Sequence, residues 1–230
     1  MGIDDTKVPP GGGGPAVGGP GQPGQVSLTK ASPTVSLTKQ GSAGGELRVN
    51  LNWNARPAAA PGGGFLKRLA ALGGGRGGID LDLACLWELT DGRKGVVQAL
   101  GNAFGALDTP PYAQLDGDDR SGSATGGENL RINLTHLAEI RRVLVFAFIY
   151  EGVASFDQAD GVVTLFPAAG PPVQVRLDEQ AGGSRMCAIA LLENTGHELT
   201  VRREVNYING DQSGLDWAYH WGLNWTPGRK

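Results

Sequence analysis

Cysteine is nearly missing from this chain: there are two in 230 residues, Cys85 and Cys187. Two thiols cannot build a disulfide-dense secreted scaffold or a four-cysteine zinc site. An excess of charge is missing too. Lys and Arg number 20 against 23 Asp and Glu, for a formal net charge of −3 and a pI near 5.6. That balance argues against a protein built to coat nucleic acid, although it leaves room for a local basic patch. No apolar run reaches the ~18–20 residues that span a bilayer, so no transmembrane segment is expected. The first residues lack a signal-peptide pattern, and a cytoplasmic location is expected. Catalytic signatures are also absent: there is no G-x-S-x-G elbow, no H-E-x-x-H and no Walker loop. His136, His197 and His220 stand far apart without metal-ligand spacing. With no nucleophile–base pair in view, a non-enzymatic role is expected.

What the chain has in excess is 38 glycines and 14 prolines, concentrated in a few stretches that read as linkers. Residues 1–25 are mostly Gly and Pro, with too few apolar side chains to offset the cost of ordering a backbone, and read as a disordered tail. Met1-Gly2 followed by Thr6 matches the myristoylation pattern, a motif weak enough to arise by chance. A second Gly-rich stretch, 55–78, reads as an insertion. Within it, Phe65, Leu66, Leu69 and Leu72 share a helical face beside Lys67 and Arg68. A membrane-surface or partner-binding helix is one reading and an ordinary insertion the other; two turns are too short to stand alone.

The remainder, 26–230, reads as one all-β domain. Val26-Ser27-Leu28-Thr29-Lys30 recurs as Val35-Ser36-Leu37-Thr38-Lys39, each copy alternating as a half-buried strand does. The pair reads either as a strand with a sheet-edge extension or as a linker and a strand. Strands are predicted at 46–53, 79–89, 130–134, 142–150, 162–166, 173–177, 185–192, 199–207 and 217–225, split by Gly, Pro and Asn signals. Arg142 to Tyr150 is apolar enough to lie centrally, covered on both faces. In the last stretch Trp217, Tyr219, Trp221, Leu223 and Trp225 would share one strand face, either as core or as a stacking platform, with His220 on the other. Leu134 to Ile140 is the single helical candidate in this half. Many short strands at near-regular spacing predict an antiparallel β-sandwich.

Acidic residues supply the candidate chemistry. Asp80 and Asp82 share a face of one strand, opposite Ile79, Leu81, Leu83, Cys85 and Trp87. A solvated edge would look the same. Asp116, Asp118, Asp119 and Glu128 bracket a loop rich in Gly, Ser and Thr that includes Ser121. Hard cations such as Ca²⁺ take six to eight oxygens from such groups. The spacing is not that of an EF-hand, and a plain polar hairpin is the competing reading.

The Asp80-Leu81-Asp82 strand, the Gly117-Asp118-Asp119-Arg120-Ser121-Gly122 loop, Glu128 and the VSLTK copies resemble the TerD family of tellurium-resistance and stress-response proteins. Trp221-Gly-Leu-Asn-Trp225 and Met186 to Leu191 look more like its TerA-type branch. The resemblance covers about Val35 to Trp225 and implies a calcium-binding β-sandwich. It places the ligands at Asp80, Asp82, Asp118, Asp119, Ser121, Glu128 and the segment near Glu151. Gly126 and Gly127 stand where the family has two Asp, which implies weaker calcium binding or fewer sites. It further implies, as partners, other Ter-family proteins and membrane-associated components. A metal-independent interaction scaffold of the same fold is the alternative. Some relatives bind cyclic nucleotides, but no phosphate-binding motif is found here. The two cysteines read as inert packing groups, with a tellurite-reactive thiol as the other possibility.

Overall fold

Thirteen strands, some alternating and some apolar throughout, form among the residues that the computed structural model describes, which are 24–42, 44–53, 80–116, 126–151 and 155–225. In chain order they are β1 (Val26–Ser27), β2 (Thr34–Ser36), β3 (Glu46–Asn52), β4 (Asp80–Leu89), β5 (Lys94–Val97), β6 (Gly105–Ala106) and β7 (Ala113–Leu115). They continue as β8 (Glu128–Asn133), β9 (Ile140–Glu151), β10 (Gly161–Phe166), β11 (Val173–Leu177), β12 (Met186–Asn194) and β13 (Leu199–Ile208). Sheet I runs β1-β11-β10-β3-β8-β7-β6 and sheet II runs β2-β13-β12-β9-β4-β5. Every pairing between these strands is antiparallel except β1 with β11.

The inward residues of the two sheets make the main core. Leu47, Val49 and Leu51 of β3 and Leu130 and Ile132 of β8 pack toward Leu81, Leu83 and Cys85 of β4 and Val143, Val145 and Ala147 of β9. Sheet II also buries its outer face. Ala84, Leu86, Leu144, Phe146, Phe148 and Met186 form a second apolar layer beneath Leu215 and Trp221. Coverage on both sides accounts for the continuous apolar run of β9, which lies between β12 and β4 as expected.

The cover over that layer corrects the predicted last strand. Residues 212–219 form a helix, α1 (Gln212–Tyr219), followed by an irregular segment through 225. The Asp211 carboxylate caps the helix by accepting from Ser213 N and Gly214 N. His220, at φ +52°, ends it in the left-handed conformation instead of pointing from a strand. Helical geometry splits the aromatic stripe. Trp221 is fully buried with its Nε1 donating to Trp87 O at 3.1 Å, whereas Trp217 is 78% exposed. Buried Asp216 accepts from Gly222 N, Leu223 N and Trp225 Nε1 and fixes the segment after the helix.

The helical candidate at 134–140 is a 3-10 turn over Leu134–Glu139. Both VSLTK copies supply edge strands, one to each sheet. Val26 pairs with Val173 in sheet I and Val35 with Val201 in sheet II, and Leu28 and Leu37 are both buried. The tail (all but Gly24 and Gln25), the 55–78 insertion with its Phe65–Leu72 segment, and Ile79 lie outside the described residues. None of the described helices is long and apolar enough to cross a membrane.

Candidate metal centre

One end of the sandwich gathers the start of β4, the end of β9, the end of β7 and the start of β8. The β-ladders impose this. Asp80, the first residue of β4, is the register partner of Glu151, the last of β9, with a register shift between Asp80 and Leu81. Asp82 pairs in register with Phe148 and is 0% exposed, so the solvated-edge reading does not hold for it.

Glu128 enters from the opposite sheet. It is the first residue of β8, in register with Leu51, and its side chain is buried. Its Oε2 accepts the Leu83 N–H at 2.6 Å. That amide is available because β5 pairs with β4 only as far as Cys85–Val97. Glu128 therefore ties sheet I to sheet II one residue beyond Asp82. By strand alternation Asp82 lies on the outer side of β4, opposite the core-facing Leu83, so the two acids approach the β4 edge from different faces.

Asp118, Asp119 and Ser121 fall in 117–125, outside the described residues, but both ends of that segment are at this rim. Asp116, which precedes it, donates its N–H to Asn129 O at 3.0 Å, and its carboxylate accepts from Arg131 Nε at 2.5 Å. Gly126 and Gly127, which follow it, differ sharply. A Cβ on Gly126 would meet nothing within 4 Å. Gly127 has φ +67°, and a Cβ there would lie 2.0 Å from Leu51 O. Glycine at 127 is thus dictated by the close approach of β3, whatever a carboxylate there would offer a metal.

The donor set at the rim is made of hard carboxylate oxygens, the chemistry that suits Ca²⁺. Among the described residues alone, no group of three or more His, Cys, Asp or Glu is placed to hold a metal. A cage would need oxygens from 117–125. Sequence reading did not single out Asn50 of β3, whose amide contacts the base of that segment; an Asn on the polar side of an alternating strand carries no distinguishing signal.

The other candidate groups are accounted for by packing. His136 stacks on Tyr112 with centroids 4.1 Å apart, and its Nδ1 lies 3.0 Å from Glu139 Oε1. Tyr112 OH donates to Glu139 Oε2 at 2.6 Å, and these contacts hold the Glu139 carboxyl below the usual range. Both cysteines are buried free thiols. Burial pushes the Cys85 thiol up to about 12 and raises that of Cys187 as well.

No protein-family model matches the chain. Among solved structures, the chain is similar to the protein of unknown function SAV2460, at TM-score 0.52 and 15% identity, over 79% of this chain and 99% of that one. It is similar to a Streptomyces coelicolor homologue of the telluride resistance protein TerD at TM-score 0.51 and 19% identity, with the same coverage of each chain. These likenesses establish the fold. Tellurium resistance protein TerA of Alcaligenes sp is 47% identical over 206 residues, which is 90% of this chain and 58% of that protein. The chain thus spans somewhat more than half the length of this relative. With 47% identity over 90% of its length to that protein, and with the sandwich fold shared with the TerD homologue, the chain belongs to the TerD/TerA-type tellurium-resistance family.

Proposed function

We propose that the chain is a non-enzymatic, cytoplasmic calcium-binding stress-response protein whose metal-ordered rim is presented to partner proteins. One observation carries this reading: Asp80, Asp82, Glu128 and Glu151 come to the end of the sandwich where the segment bearing Asp118, Asp119 and Ser121 begins and ends. These residues would hold the ion between them. Bound calcium would supply the charge that offsets the clustered acids and order the rim. Other Ter-family proteins and membrane-associated components are the proposed partners.

Thermal melting with added calcium tests the proposal. An ion bound by the native state alone stabilises by about 2.7 kcal/mol at a hundredfold excess over Kd. A rise in Tm at millimolar calcium that is lost in Asp118→Ala supports it; no rise overturns it. Pull-down with and without chelator then tests whether partner capture needs the ion. A metal-independent scaffold is the second reading. It is favoured by Gly127, whose place against Leu51 leaves no room for a carboxylate.

A further inference from the structure

The contacts around Asn50 join the outer face of sheet I to the backbone that carries Glu128, whose side chain is buried. Asn50 Nδ2 lies 2.5 Å from Gly126 O, 3.0 Å from Asn129 Oδ1 and 3.4 Å from Glu128 O. Asn129 Oδ1 also accepts from Arg48 Nη1 at 3.0 Å, and the Arg48 guanidinium lies over the Phe166 ring, 4.1 Å from its centroid. A polar platform on β3, β8 and β10 therefore grips the backbone on both sides of Gly127. The close approach of Leu51 forces a glycine at 127, and glycine is the residue type that loses most backbone freedom when held in one conformation. From that backbone the Glu128 side chain reaches across to accept the Leu83 N–H on the other sheet.

We infer that Asn50 is the positioning residue for Glu128 and, through it, sets the affinity of the rim for a divalent cation; the second half rests on the calcium reading above. Asn50→Ala removes the amide. Asn50→Asp keeps its volume but offers a carboxylate to backbone carbonyls, so it breaks the grip by repulsion. Asn52→Ala, on the same face of β3, is the control.

The test is native-state amide exchange of the full chain without metal, followed by calorimetric titration with calcium chloride. Protected β12 amides report an intact sandwich in every variant. Both Asn50 variants are expected to speed exchange at Leu83 roughly tenfold, the worth of one hydrogen bond, while Asn52→Ala leaves it unchanged. Unchanged Leu83 exchange in the Asn50 variants overturns the inference, whatever calcium does. Calcium affinity is expected to fall by about tenfold or more, as when the support of a metal ligand is removed. An affinity equal to that of the unmodified chain overturns the link to the metal. If the unmodified chain takes up no calcium but Leu83 responds to Asn50, the calcium reading fails and the positioning role stands.

Discussion

At the scale of single residues, Gly126 and Gly127 are neighbours with opposite tolerances. Gly127→Ala meets both a left-handed backbone and the Leu51 carbonyl, and is expected to cost about 2 kcal/mol or more in urea unfolding. Gly126 has open space around it and an ordinary φ. Gly126→Asp, which restores one acid of the family pattern, is expected to leave the melting temperature nearly unchanged and to tighten calcium binding in a titration. The thiols provide a second case. Buried Cys85 and Cys187 are expected to resist a thiol-reactive dye in the native protein and to react only after denaturation. Rapid native labelling of either would reopen a direct reaction with tellurite.

Among the elements, α1 shows where pattern reading stops. The long strands were legible because burial on one face makes β3 alternate, whereas burial on both faces makes β9 and β12 near-continuous apolar runs. The short strands β5, β6 and β7 were not, since two to four residues carry no period. At 217–225 aromatic residues at every second position imitate a strand, but the Asp211 cap and the left-handed His220 select a helix. The docking of α1 also carries a pH dependence. Glu204 of β13 is half-buried, with its Oε2 accepting from Tyr219 OH at 3.0 Å and its Oε1 3.0 Å from Arg202 Nε. Burial raises its carboxyl above the usual range, aided by Glu193 and opposed by Tyr219 and Arg202. A raised native value means that its contribution to stability is full below the unfolded carboxylate range and is lost as pH rises through the native value. Glu204→Gln is therefore expected to melt higher than the unmodified chain at pH 7, with the difference closing at pH 4 and below.

For the whole molecule, the two VSLTK copies close the same side of the sandwich, one on each sheet. Each places a buried leucine, and each lysine finds an acid: Lys30 with Glu179 at 2.7 Å and Lys39 with Glu198 at 3.0 Å. The lysines are 74% and 78% exposed, so Lys30→Ala and Lys39→Ala are expected to change stability by less than about 1 kcal/mol. Leu28→Ala and Leu37→Ala each remove a core side chain and are expected to cost about 2–5 kcal/mol by denaturant unfolding. The repeat was visible in the sequence, but its division between sheets was not, because an edge strand is placed by its distant partner rather than by its own pattern. The candidate site was legible in the same partial way. The acids were proposed from residue type and resemblance, whereas the Asn50 contacts and the Glu128 tie to Leu83 arise only when β3, β4 and β8 converge.

The seam closed by these copies has a consequence for synthesis. Val26 pairs with Val173, and Val35 with Val201, so each copy leaves the ribosome long before the strand it pairs with. Until then the edges of the nascent sheets stand open to other chains. A lysine closing each copy is the kind of charged gatekeeper that discourages misplaced pairing during that interval.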